Sequence, residues 1–201
     1  MELSKKVKSI TPSQTIEITN TARQLKAEGV DVISLSAGEP DFNTPDEIIE
    51  AVYEAAKAGH TKYTASAGLP ELREAIAKKM QRDNNLTYEP TEVYVGNGAK
   101  QVLYNIFLAT LNEGDEVIVP SPYWVSYTEQ VKMVGGEPVT AATSEEDHFK
   151  LTPKLLKAHI TEKTKMLVLN TPNNPTGSVY SKEELQALAD VLAEPDIIIV
   201  V

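Results

Sequence analysis

Residues 165–177 read KMLVLNTPNNPTG. The run Met166-Leu167-Val168-Leu169 has no polar position, so a strand built from it must be covered on both faces. A turn needs one or two special residues. This exit supplies Asn170, Asn173 and Asn174 with Pro172 and Pro175 before Gly177. Such a loop, leaving a buried strand and leading to a helix that opens at Ser181, is more specified than a connection requires. It points to a site at the strand's carboxyl end, where open parallel sheets place their ligands.

Working outward, the same pattern repeats. Strand EVYVG (92–96) precedes a helix over 99–111, and strand DEVIVP (115–120) precedes a helix over 123–134. Strand PVTAA (138–142) is followed by a helix over 152–160, strand KMLVLN (165–170) by a helix over 181–193, and then comes DIIIVV (196–201). Apolar strands alternating with helices predict an α/β fold of three layers, a mainly parallel sheet with helices on both faces. Upstream, helices are predicted over 13–29, 44–59 and 69–84. Thr44, Pro45 and Glu47 form a capping-box pattern closed by Gly59, and Ser181 with Glu184 repeats it. Residues 1–45 lack the alternation and are expected to form an N-terminal arm and small-domain segment. Residues 46–201 are expected to begin a large domain.

Composition narrows the function classes. Lys and Arg total 19 against 29 Asp and Glu, a formal charge of −10, which argues against nucleic acid or an anionic membrane as partner. There is no cysteine, and His60, His148 and His159 have no ligand spacing, so neither a disulfide nor a metal site is expected. The opening MELSKKVKSITPSQT lacks the apolar core of a signal peptide, and no run reaches membrane-spanning length. A cytoplasmic protein is the expectation.

Three strand ends carry unusual sequences: GNGAKQ (96–101), PSPYWVSY (120–127) and NTPNNPTG (170–177). Gly96 and Gly98 permit a sharp turn into a helix whose free N–H groups suit a phosphate. The dinucleotide and P-loop patterns are both absent, and an ordinary glycine turn reads as well. Trp124, the only tryptophan, reads alone as a core aromatic or as a flat platform for a heteroaromatic ring. The Asn residues offer amide donors to a cleft, or serve a helix-entry loop.

Taken together, SLSAGEPDFNTP, TKYTASAGLPELREAI, GNGAKQ, SPYW and NTPNNPTG resemble, in order and spacing, the class I aminotransferases of fold type I, in the bacterial aspartate aminotransferase branch. The resemblance covers essentially the whole chain. It implies pyridoxal 5′-phosphate as cofactor, amino acid and 2-oxo acid substrates, and a homodimer. It implies that Asn174 donates to the cofactor's phenolic oxygen and that Gly98, Ala99 and Lys100 cradle its phosphate. Trp124 would stack on the pyridine, and Tyr63 would reach the phosphate of the neighbouring subunit. Gly38 would lie near the substrate α-carboxylate. Thr15 and Lys100 would recognise a distal carboxylate, although both residue types are also common on plain surfaces. Cis peptides are expected at Ser121–Pro122 and Asn174–Pro175. The family's Schiff-base lysine, the Asp that pairs with the pyridine nitrogen and a carboxylate-clamping Arg would all lie beyond Val201. No catalytic residue is therefore expected within the chain, which reads as an N-terminal half, inactive alone. Two alternatives stand: another activity on the same scaffold (prephenate, aromatic or alanine transamination, or a lyase), or a non-catalytic truncated product.

Overall fold

A computed structural model describes residues 2–11, 14–36 and 38–201. The chain forms two compact units, one of Met1–Pro12 with Lys100–Val201 and the other of Ser13–Ala99.

The sheet lies in the first unit. Its strands are β1 (Glu116–Ser121), β2 (Glu137–Ala142), β3 (Thr164–Val168) and β4 (Ile198–Val200), in the order β2-β1-β3-β4 with all three pairings parallel. Helix α5 (Ala99–Thr110) leads towards β1, α6 (Ser126–Val134) links β1 to β2, α7 (Pro153–His159) links β2 to β3, and α8 (Lys182–Leu192) links β3 to β4. The period of two along each strand divides the core. Val117, Val119, Met166 and Val168 pack with Phe107 and Leu111 of the α5 region and with Tyr127 and Val131 of α6. Ile118, Leu167 and Leu169 pack on the other face with Leu156 of α7 and Leu188 of α8. The sheet is covered on both faces, as the apolar runs require.

The strand order reverses direction between β1 and β3. From β1 the chain moves to β2 on one side, then crosses back to β3 and β4 on the other. Right-handed crossovers running in opposite directions must lie on opposite faces, as α6 does relative to α7 and α8. The loops leaving adjacent strands at such a reversal diverge and open a crevice beyond their carboxyl ends. Those two loops are the ones with Trp124 and Asn174.

Helix α8 starts on the predicted capping box: Ser181 Oγ accepts from Glu184 N at 3.2 Å and Glu184 Oε2 accepts from Ser181 N at 2.6 Å. Before α5 come α1 (Lys5–Lys8), α2 (Gln14–Ala27), α3 (Asp46–Lys57), α4 (Pro70–Asn84) and a 3-10 turn at Pro90–Glu92. The predicted start of α2 at Ser13 lies outside the described residues. No described helix is long and apolar enough to cross a membrane.

Three local expectations are corrected. Helix α3 is capped by Pro45, not Thr44: the ψ of 140° at Pro45 is extended, so the helix begins one residue later and no side chain caps it. Trp124 precedes α6 rather than opening it, although Tyr127 N already donates to Trp124 O at 3.0 Å. Segment 93–96 is not a ladder strand. Val93 is extended, but a strand requires a neighbour, and no described strand pairs with this segment. It is fastened instead by Val95 N donating to Ala67 O at 3.0 Å and Arg73 Nε donating to Val93 O at 2.8 Å.

Candidate functional site at the carboxyl ends of the sheet

The loop after β3 divides its three asparagines between two jobs. Asn170 Oδ1 accepts from Asn174 N at 2.8 Å. Asn173 Oδ1 accepts from Thr176 N at 3.2 Å and from Thr176 Oγ1 at 2.9 Å, while Gly177 N donates to Asn173 O at 2.8 Å. Ser178 Oγ anchors the loop by donating to His148 O at 2.7 Å. Asn174 is different. It is exposed, and its side-chain amide makes no hydrogen bond among the described residues. Two asparagines are therefore consumed in shaping the loop, and the third is left as a presented donor. The peptides Ser121–Pro122 and Asn174–Pro175 are cis as expected, and Thr171–Pro172 is a third.

The loop after β1 presents Trp124. Its indole is half-buried against the α5–α6 core and meets the Tyr127 ring edge-on, with centroids 5.5 Å apart and planes at 89°. Burial pushes the Tyr127 phenol above its ordinary pKa, so it stays a neutral wall of the site. Over the indole lies the Lys100 ammonium, 4.8 Å from the ring centroid. An ammonium in that position is attracted by the ring's negative face.

Lys100 stands in the first turn of α5, which carries no acidic residue. The opening N–H groups of a helix have no partner within it, and the dipole there favours an anion. Just before the helix, Gly98 adopts φ +83°, and a Cβ placed there would meet no atom within 4 Å. The backbone conformation, rather than crowding, demands glycine, and the space beside it is open.

Lys100, Trp124 and Asn174 belong to the sheet unit, and the first two are in contact. Thr15, Gly38, Tyr63, Gly98 and Ala99 belong to Ser13–Ala99. Thr15 lies in the first turn of α2, where its carbonyl accepts from Thr19 Oγ1 at 2.8 Å, and it borders an open groove with Ile18, Leu25 and Ile33. Gly38 has open space where a Cβ would stand, and Tyr63 is fully exposed. No hydrogen bond joins Thr15, Gly38, Tyr63 and Gly98 to one another among the described residues.

One residue escaped sequence reasoning. Gln130 is buried on α6, and its Nε2 donates to the Lys100 carbonyl at 2.8 Å. Its signal was a polar residue in a stripe of helical spacing, with Tyr127, Val131 and Val134 as the apolar members.

The chain is similar to known proteins over its whole length. It is 56% identical over 200 residues to the aspartate aminotransferase of Bacillus subtilis, covering 100% of this chain and 51% of that protein. It is 55% identical over 190 residues to the aspartate/prephenate aminotransferase of Cereibacter sphaeroides, covering 94% of this chain and 48% of that one. Among solved structures, Thermus thermophilus aspartate aminotransferase with maleate matches at a TM-score of 0.95 and 48% identity, over 99% of this chain and 52% of that one. The chain thus spans about half the length of the curated relatives it matches. A family model described as aminotransferase class I and II matches residues 30–201, and the chain belongs to that family.

Proposed function

We propose that these residues form the amino-terminal part of a pyridoxal-phosphate-dependent aminotransferase. The reaction moves an amino group between aspartate, or a related amino acid, and 2-oxoglutarate. The carrying observation is the Lys100–Trp124 pair at 4.8 Å, a cation held over a flat indole in the loop that follows β1, next to the reversal of strand order.

The residues present fit the cofactor. A phosphate suits the open space beside Gly98 and the acid-free first turn of α5. A planar pyridine suits the Trp124 face, and a phenolic oxygen suits the unengaged Asn174 amide. When bound, the cofactor supplies an electron sink for bonds at the substrate α-carbon. This chain's own contribution is binding and orientation. Asn174 would donate to the cofactor's phenolic oxygen, Trp124 would fix the ring plane, and Gly98, Ala99 and Lys100 would hold the phosphate. Thr15 and the Lys100 side chain recognise the substrate's distal carboxylate, and Gly38 lies near its α-carboxylate. The Thermus thermophilus aspartate aminotransferase structure is one with maleate, a dicarboxylate, which supports this choice of substrate. Tyr63, with its side chain fully exposed, serves the phosphate of a second subunit in a homodimer. The protein acts in the cytoplasm, with 1–45 as arm and small-domain segment and 46–201 as the first part of the large domain. The Schiff-base lysine that the family resemblance implies would lie outside these 201 residues, so on this reading they would be inactive alone.

A second reading keeps the scaffold and changes the donor. It is favoured by the Cereibacter sphaeroides aspartate/prephenate relative and by a Pyrococcus furiosus alanine aminotransferase that matches at a TM-score of 0.93 and 36% identity. The test joins this chain to the carboxyl-terminal half of the Bacillus subtilis relative and assays a panel of amino donors. Aspartate turnover by the joined protein and none by the chain alone supports the proposal. Preference for alanine or for prephenate as acceptor replaces it with the second reading. No turnover with any donor leaves a non-catalytic binding product.

A further inference from the structure

Gln130 is 8% exposed, between neighbours on α6 that face the core. Its Nε2 donates 2.8 Å to the Lys100 carbonyl. Turning the amide over would set oxygen against oxygen, so the head group has one orientation. In that orientation Oε1 is buried without a hydrogen-bond partner among the described residues. A buried acceptor left in this way is unfavourable. Met would fill a similar volume with neither polar atom, so packing alone does not call for Gln.

What the amide provides is a link. The Lys100 carbonyl is held from α6, and the Lys100 ammonium lies over Trp124, two residues before α6 begins. Both ends of Lys100 are thus tied to one segment of chain. We infer that Gln130 is a positioning residue: by fixing the first turn of α5 against α6, it sets Lys100 over Trp124 and so aims both at an anionic, heteroaromatic ligand. The ligand part of this inference rests on the cofactor reading above. The positioning part rests only on the geometry.

Trp124 is the sole tryptophan, so its emission reports on the contact directly. The experiment compares the 201-residue chain with K100M, Q130M and the double variant. Lys100→Met is expected to change the emission, because it removes the cation from the indole face. In the Q130M background the same substitution is expected to lose most of that effect. Gln130→Asn, which keeps an amide but shortens its reach, serves if Q130M does not fold, and the same loss is expected. A purely structural Gln130 would shift the melting temperature and leave the K100M emission difference intact, and that result overturns the inference. So does a K100M emission identical to the parent's.

Quenching of Trp124 by added pyridoxal phosphate then separates the two readings. Weaker quenching in Q130M than in the parent supports both. Loss of coupling with no quenching in any chain removes the ligand part of this inference for the 201-residue chain and leaves the positioning role standing. Equal quenching in parent and Q130M, with coupling intact, overturns the positioning role alone.

Discussion

Gly68→Ala tests how the segment after Tyr63 is joined to the one before Gly98. Gly68 has φ +104°, and a Cβ there would lie 2.8 Å from Val95 Cβ and 3.0 Å from Val95 Cγ2. Two costs follow. A left-handed backbone costs an ordinary residue about 1–2 kcal/mol. Forcing a methyl into occupied space costs about 1–3 kcal/mol. The sum is about 2–5 kcal/mol. Val95 N donates to Ala67 O at 3.0 Å beside the contact, so the strain falls on the bond that fastens the two segments. Urea unfolding followed by far-UV circular dichroism should show the midpoint falling by on the order of 1–2 M. Emission from Trp124, in the other unit, shows whether the loss stays within Ser13–Ala99. Partner variants divide the penalty. Val95→Ala should rescue little, because the nearest atom is the Cβ that alanine retains. Val95→Gly removes both atoms, and a double-mutant cycle should return a coupling of about 1–3 kcal/mol. A G68A chain with the parent's midpoint, or an equal penalty with and without Val95→Gly, would refute the reasoning.

Asn173→Ala should lower stability by roughly 1–3 kcal/mol, since two donors from Thr176 lose their acceptor. Asn174→Ala should leave stability within about 0.5 kcal/mol and weaken pyridoxal phosphate quenching of Trp124. Equal stability losses in the two variants would undo the division of labour in the loop. The Glu184 carboxyl is held below its ordinary pKa of 4.5, first by the Ser181 backbone N–H and then by Lys150. Its contribution is therefore present above pH 4.5 and lost as acid protonates it below that point, and Glu184→Gln should flatten that part of the pH–stability curve. The edge strand β4 leaves Ile199 partly exposed and meets no further strand among the described residues. Size-exclusion chromatography with light scattering should find the 201-residue chain self-associated. A monodisperse monomer would contradict that expectation.

The sheet was legible because its signals are redundant. Each of β1 and β3 has a continuous apolar run, and each following helix has its own start. Ser181 and Glu184 are a pattern that local bonding alone satisfies, so α8 is found as read. Thr44 with Pro45 shows the same letters, but the backbone angle at the proline, not the pattern, decides where α3 begins. The strand reading of 92–96 failed for another reason: local sequence makes a segment extended, while pairing depends on chain elsewhere. At the site, the resemblance named Lys100 and Trp124, but only the structure shows that they touch. Gln130 belongs to no motif. Its partner is a backbone carbonyl thirty residues away, and sequence patterns do not record such bonds.

Burial is uneven between the two units, and this bears on how the chain is made. Among the described residues of Ser13–Ala99, Ala77 is the only buried one, while Ile33, Leu35 and Phe42 lie open. This unit leaves the ribosome before the sheet. At about 5–20 residues per second, β4 follows the end of the unit by roughly 5–20 s. For that interval the nascent chain displays apolar side chains before any sheet exists. Chaperones that grasp exposed apolar segments meet this stretch before they meet the sheet. The demand that synthesis places on them is set by the unit with the thinnest core, before a single strand has paired.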